Sequence, residues 1–233
     1  MESHDLSAIW QENAEDWLAW ARTPGHDVAF WEMNLPAMLD VMPSPGIGTV
    51  DIGCGEGRVG RVLAQRGHRV HGLDSSETLA DAARTAGGYE EVVHGDATEL
   101  PWPPEMFDLA VAFMCLMDMP DPARAIREIA RALVPGGRLC VLLTHPLDRP
   151  ARSVEDYFAE TEWDERVQEN GLPMRFVGRA RPLGYYTGAL SDAGFVIEEI
   201  REPRPGVELI GRFPQLDPAA TRPWTLLIRA RLD

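Results

Sequence analysis

Two short stretches hold the residues whose types and spacing promise chemistry. Asp51, Gly53, Gly55, Glu56 and Gly57 fall in Thr49-Val50-Asp51-Ile52-Gly53-Cys54-Gly55-Glu56-Gly57-Arg58, and Asp74 closes Val70-His71-Gly72-Leu73-Asp74 one helix-length later. Glycines permit a tight turn and let backbone approach a ligand closely, and an acid ending the next strand can accept hydrogen bonds from both hydroxyls of a ribose. The pattern therefore describes a nucleoside site. Its spacing is G-x-G-x-G, with Arg58 where the dinucleotide fingerprint G-x-G-x-x-G wants its third glycine, and no Gly-Lys-Ser/Thr follows as a phosphate-binding P-loop requires. Asp51 and Glu56 bring negative charge to the turn. That charge opposes a pyrophosphate and suits a ligand carrying an ammonium and a sulfonium.

The elements that must position these residues alternate. Apolar runs at Thr49–Ile52, Arg69–Leu73, Glu91–His94, Leu109–Phe113 and Arg138–Thr144 read as central parallel strands, with helices at Arg58–Arg66, Ser76–Ala86 and Pro122–Ala132 between them. Ser75 or Ser76 caps the second helix and Asp121-Pro122 opens the third. Pro135-Gly136-Gly137 stops that third helix, and Gly194 stops another before a strand beginning at Phe195. Trp224–Arg231 supplies a seventh strand. The expected fold is α/β, a doubly wound, mostly parallel seven-stranded sheet with helices on both faces. Two segments stand outside the alternation. Residues 1–46 form a helical cap carrying Trp10, Trp17, Trp20 and Trp31, and 145–182 form an insertion after the fifth strand, whose Tyr157, Phe158, Trp163 and Phe176 favour an ordered lid. With the core at 47–144 and the sheet completed by 183–233, one domain is the economical reading.

Composition narrows the partners. The chain has 233 residues, 45% of them hydrophobic and 25% charged, which is ordinary for a globular protein. A formal net charge of -15 repels phosphate backbones, so nucleic acid is not an expected partner. The arginine-rich segment Arg175–Arg181 is the one basic candidate, and it reads as a solvated loop without aromatics interleaved for base stacking. No apolar run is long enough to span a bilayer, and Met1-Glu2-Ser3-His4-Asp5 lacks a basic, apolar leader, so a cytoplasmic location without membrane association is expected. Cys54, Cys115 and Cys140 are widely spaced and odd in number, which fits buried free thiols better than disulfides or zinc. No metal is expected.

Val50-Asp51-Ile52-Gly53-Cys54-Gly55-Glu56-Gly57 resembles the first motif of class I S-adenosylmethionine-dependent methyltransferases, and the likeness continues through Gly72-Leu73-Asp74-Ser75-Ser76, Gly95-Asp96-Ala97, Phe107-Asp108-Leu109-Ala110-Val111 and Leu133-Val134-Pro135-Gly136-Gly137. Ala193-Gly194-Phe195 and Glu202-Pro203 extend it in the style of the small-molecule branch resembling ubiquinone and menaquinone (type 11) methyltransferases. The resemblance implies a Rossmann-like fold, S-adenosylmethionine as cofactor and S-adenosylhomocysteine as product. It places the backbone of Gly53, Cys54, Gly55 and Gly57 beneath the methionine part of the cofactor, with Asp51 near its amino group. Asp74 takes the ribose hydroxyls beside Ser75, Asp96 and the Ala97 amide meet the adenine, and Met114 faces the sulfonium. Asp96 as a turn residue and Met114 as core are the plainer alternatives.

Catalytic signals are sparser. Methyl transfer needs alignment and exclusion of water, and a base only if the acceptor must lose a proton. His145, at the end of the fifth strand, is the first candidate base, although a turn fixed by Pro146 explains it equally well. His26, in a turn between two N-terminal helices, is the second. Where members of this branch often carry histidines, Met114-Cys115-Leu116-Met117-Asp118 leaves Asp118 as the only close ionisable group and a soft, apolar lining for the acceptor. Tyr185, Tyr186 and Trp31 are candidate acceptor contacts. The expected activity is an S-adenosylmethionine-dependent methyltransferase acting on a small organic molecule, a metabolite or natural product. The alternatives are an enzyme of the same fold catalysing a cyclisation or rearrangement, and a non-catalytic cofactor-binding module; a nicotinamide oxidoreductase is disfavoured by the glycine spacing. Oligomeric state is not encoded legibly.

Overall fold

The computed structural model describes residues 6–148, 156–169 and 171–233. Seven strands form one sheet: β1 (Thr49–Ile52), β2 (Val70–Asp74), β3 (Glu91–His94), β4 (Phe107–Phe113), β5 (Leu133–Thr144), β8 (Phe195–Arg201) and β9 (Thr225–Leu232). Their order is β3-β2-β1-β4-β5-β9-β8. Pairing is parallel from β3 through β5, and β9 alone runs against its neighbours β5 and β8. The chain reverses its direction of travel across the sheet between β1 and β4, so the glycine turn after β1 opens at the switch point where such sheets bind ligands. This is the Rossmann-like, doubly wound architecture read from the sequence.

A period of two along the central strands divides the core between the faces. Ala110 and Ala112 of β4 join Leu139, Val141 and Leu143 of β5 on the side covered by α6 (Pro122–Ala132) and α7 (Leu183–Asp192). Leu109, Val111 and Phe113 join Cys140 and Leu142 on the side covered by α3 (Leu35–Val41) and α4 (Arg58–Gln65). Between β2 and β3, α5 (Glu77–Ala86) starts where Ser76 accepts from the Leu79 amide at 3.3 Å, and Asp121 caps α6 through the Arg124 amide at 2.9 Å. Both caps fall at expected positions. All three cysteines are buried and unpaired, and none of the described helices is long and apolar enough to cross a membrane.

The N-terminal segment is helical, with α1 (Leu6–Glu12), α2 (Ala14–Arg22) and a π-helical turn (Phe30–Asn34) running into α3. Residues 1–5 of the expected cap, and 149–155 and 170 of the expected insertion, lie outside the described residues. The rest of that insertion holds an antiparallel hairpin, β6 (Thr161–Glu169) with β7 (Leu172–Ala180), that the sequence reading did not foresee. It also corrects the view of Arg175–Arg181 as a solvated loop: these residues continue β7 into α7, and Arg179 and Arg181 are buried. Phe176 of β7 packs edge-on to Trp17 at 6.5 Å and Trp20 at 5.9 Å between ring centroids, so hairpin and cap share one aromatic seam.

Arg58, the first residue of α4, ties the cap to the core. Its guanidinium lies 3.5 Å from the Phe30 ring centroid and 4.8 Å from that of Trp17, and bonds Asp27 at 2.9 Å. Replacing it removes two cation–π contacts and leaves Asp27 without its cation. An Arg58→Ala variant is expected to lose roughly 2–4 kcal/mol in chemical denaturation. A loss below about 1 kcal/mol, the ordinary worth of an exposed ion pair, would show that the clamp is not structural.

Candidate functional site

The site is built around the tip of β2. Asp74 Oδ2 accepts from the Gly55 amide at 2.7 Å and Oδ1 from the Ser76 amide at 2.9 Å, so one carboxylate joins the glycine turn to the start of α5. Four lone-pair positions serve a carboxylate, and two remain for hydroxyl donors. Gly53, Gly55 and Gly57 all have positive φ, at 64°, 57° and 87°, which explains why the turn needs glycine there. Their free faces point differently. A side chain at Gly53 would stand 2.6 Å from Cys115 Cβ, and one at Gly57 would meet Tyr89 at 2.9 Å. Only the Gly55 face looks outward, with Trp17 Nε1 at 3.5 Å from a notional Cβ. Gly53 and Gly57 therefore make room for protein, and Gly55 turns its free face away from the core toward Trp17.

Tyr89 is a site residue that the sequence reading missed. Its ring fills a slot left by Gly57, Gly60 and Gly72, and its hydroxyl donates to Asp51 Oδ2 at 2.7 Å. The signal lay in three glycines on different elements, whose convergence only the fold reveals. Asp51 is buried at 1% exposure, and burial together with the neighbouring Asp74 carboxylate pushes its pKa up to about 7, against the Tyr89 hydrogen bond that opposes the shift. Asp74 is raised for the same leading reason, burial, with its two amide bonds working against it. Glu56 plays a different part from the one expected. It is buried and neutralised by Arg61 at 2.8 Å and Arg22 at 3.3 Å, so the uncompensated acids of the turn are Asp51 and Asp74. A cation bound here would restore their ionised forms. The cradle thus fits an adenosyl donor with a positively charged tail.

The remaining expected cofactor contacts are nearby on the chain's ligand edge. Ser75 is exposed beside Asp74 and accepts through its carbonyl from His94 at 3.1 Å in one tautomer. Cys54 is buried, and its thiol is pushed well above the ordinary range by burial. Asp96 is exposed and uses Oδ1 to receive the Thr98 amide at 2.8 Å, which is the turn role, and Ala97 is buried behind it. Met114 adopts φ 55° as β4 ends, while its amide bonds the Leu142 carbonyl at 2.7 Å. A non-glycine residue in the left-handed region is uncommon and marks where the strand is bent out over the site. Gln11 of α1 accepts from Ser76 Oγ at 2.8 Å, which brings the cap down onto the α5 end of the cradle.

The three base candidates are held in ways that matter. His145 Nδ1 accepts from the Leu147 amide at 3.1 Å, which puts its proton on Nε2, facing Glu202 Oε1 at 3.0 Å. His26 is buried edge-on to Trp20 at 4.4 Å with Nε2 unpartnered. Asp118 has a buried, unpartnered Oδ1, and burial drives its pKa well above the carboxylate range, opposed by the Trp10 indole and Arg181. Tyr186 is buried behind the end of β7, Tyr185 stacks near Arg181 at 5.1 Å, and Trp31 stands 42% exposed against Phe30, apart from these groups. Among the described residues no cluster of three or more His, Cys, Asp or Glu side chains could hold a metal.

The Asp51 shift has a sign that can be measured. Its folded pKa lies above the ordinary value of 3.8, so its contribution is fully present below that value and is lost as pH rises through about 7. Without ligand, the parent's stability relative to Asp51→Asn should fall by about 2 kcal/mol from roughly pH 5.5 to roughly pH 8 in urea titrations. A difference independent of pH would mean that Asp51 ionises normally.

Residues 50–141 match a family model described as a methyltransferase domain. The ubiquinone/menaquinone biosynthesis C-methyltransferase of Vibrio vulnificus is 32% identical over 125 residues, covering 49% of this chain and 48% of that protein. A 2-phytyl-1,4-naphtoquinone methyltransferase of Thermosynechococcus vestitus is 29% identical over 69% of this chain and 64% of its own length. The chain spans about half the length of the first of these curated relatives. A crystal structure of an S-adenosylmethionine-dependent methyltransferase from Mesorhizobium loti superposes with a TM-score of 0.68 at 29% identity, covering 88% of this chain and 98% of that one. Glycine turn, strand order, domain match and relatives agree: residues 50–141 match a methyltransferase domain, and the chain resembles class I S-adenosylmethionine-dependent methyltransferases of the type 11, ubiquinone and menaquinone branch.

Proposed function

We propose that the protein transfers a methyl group from S-adenosylmethionine to a small organic acceptor, working as one unit in which the 1–46 cap and the 145–182 segment cover a 47–144 cofactor core completed by 183–233. The observation that carries this reading is the Asp74 carboxylate, fixed by the Gly55 and Ser76 amides at the switch point of the sheet with lone pairs to spare. Asp74 would hold the ribose, Gly55 would admit the backbone-contacting tail, and Asp51 and Asp74 would supply negative charge to its ammonium. Asp96, Ala97 and Ser75 would flank the nucleoside, and Met114 would line the methyl. The bound cofactor supplies an electrophilic methyl on a sulfonium. The protein's part is to align the acceptor and exclude water, and the closely packed Trp17, Trp20 and Phe176 are suited to exclusion.

The reading includes no poised base. Burial pushes the Asp118 carboxyl well above the usual carboxylate range, against the Trp10 indole and Arg181, and His145 already spends its lone pair on the Leu147 amide. The acceptor is then one that is nucleophilic without assistance or that ionises on its own.

Calorimetry with S-adenosylhomocysteine tests the cradle. A folded Asp74→Ala variant is expected to bind about 10- to 100-fold more weakly, the loss of hydrogen bonds to a charged group. Parental affinity in that variant would remove the assignment. Mass spectrometry of cell extract treated with enzyme and methyl-labelled cofactor identifies the acceptor. On that acceptor, His145→Gln is expected to keep the parent's pH profile, and loss of an ionisation near neutrality would return His145 to the role of base.

A further inference from the structure

A cavity of about 10 Å³ lies where β5 ends, lined by apolar and aromatic residues such as Met117, Trp163 and Tyr186 and also by His145, Arg179 and Arg181. The turn that walls it with Met117 touches the glycine bend one step earlier, through Cys115 against Gly53. Arg181 is 3% exposed, and its donors are unequally used. Nε meets Glu160 at 2.6 Å, and Nη2 meets the carbonyls of Met119 and Pro120 at 3.3 and 3.4 Å. Nη1 makes no hydrogen bond of ordinary geometry, although the Tyr186 hydroxyl and the buried Asp118 carboxyl both interact with the guanidinium. A buried guanidinium donor left open is costly, and buried donors of this kind are satisfied by water or by a ligand. Asp118 Oδ1 is also unpartnered, but Asp118 is not among the cavity's walls and does not close the gap.

Nε is held by Glu160 at the base of the hairpin and Nη2 ties the hairpin to the turn after β4, which leaves Nη1 over. Besides Arg181 the wall carries Thr144, His145 and Arg179 among its apolar and aromatic members. Trp163 lies across Gly178, its partner on β7, where a side chain would come within 2.8 Å of the indole. In a chain of net charge -15, a buried arginine opening into an aromatic pocket selects for an oxyanion on an apolar body.

We propose that this cavity is the acceptor subsite and that Arg181 Nη1 binds a carboxylate of the acceptor, which makes the substrate class small organic acids with an aromatic or otherwise apolar body. The proposal rests on the methyltransferase reading for its word acceptor and on Arg181 alone for its carboxylate. At its present size the cavity has room for about one water, so an acid enters as Trp163 yields. Glu160, whose side chain is 47% exposed, already places a carboxylate on Nε of the same guanidinium and so weakens the charge that an acid at Nη1 meets.

The test uses the full chain saturated with S-adenosylhomocysteine, with benzoate and its uncharged counterpart benzamide as probes, followed by saturation-transfer NMR and tryptophan fluorescence. Benzoate is expected to bind the parent at least tenfold more tightly than benzamide. Arg181→Gln should remove that preference while leaving benzamide unchanged, and Glu160→Gln should tighten benzoate at least threefold. Equal binding of the two probes by the parent, or an Arg181→Gln variant that keeps the preference, overturns the proposal and leaves a structural water as the occupant. If Arg181→Gln does not fold, Glu160→Gln decides alone: tighter benzoate supports the site and unchanged benzoate overturns it. Cofactor affinity is measured separately by calorimetry, and benzoate is titrated also without cofactor. A chain that prefers benzoate but binds no S-adenosylhomocysteine would keep the carboxylate site and lose the methyltransferase reading.

Discussion

One carboxylate sets the geometry on which the rest of the site relies. Asp74 reaches from the end of β2 to the amide of Gly55 and the amide of Ser76, so the bend after β1 and the start of α5 are fixed to a single planar group. Parallel pairing of Ile52 with Leu73 brings those two chain ends level, and Ser76 then turns its hydroxyl to cap α5. Gln11 of the cap bonds that same hydroxyl. Sheet register, helix start and cap position thus converge on one residue, and the positive-φ glycines are the backbone's accommodation to it.

The electrostatics follow from burying acids before their cation arrives. Asp51, Asp74 and Asp118 all sit where burial favours the protonated form, and Asp74 adds to the shift of both others. By contrast Glu56 is buried with two arginines around it and carries its charge without strain on the site. The chain therefore holds two kinds of buried acid, Glu56 paired with arginines, and Asp51 and Asp74 with no ion pair among the described residues. Tyr89 supports the second group, since a hydroxyl aimed at Asp51 keeps that oxygen satisfied in either protonation state.

Much of this was legible in the residues. β1, β3 and α6 fall at their expected bounds, because continuous apolar runs and side-chain caps are local signals. Asp74 followed from its place at a strand end. What escaped was non-local. Glu56 looked like part of the ligand's environment until Arg22, 34 residues away, folded onto it. Tyr89 needed three glycines from separate elements to converge, and the β6–β7 hairpin carries so many charged residues that its alternation was masked. Arg179 and Arg181 read as solvated because a lone sequence does not show the carboxylates of Glu160 and Glu162 waiting across the hairpin.

The aromatic seam between cap and hairpin has a mechanical implication. Trp17 stands over Gly55 at the glycine turn, while Trp163, on the strand paired with the one bearing Phe176, walls the cavity at the end of β5. Because Trp17 and Trp20 both lean on Phe176, displacement of either cover disturbs the other. A change in the N-terminal helices is in this way felt in the hairpin, since the two share a single set of ring contacts.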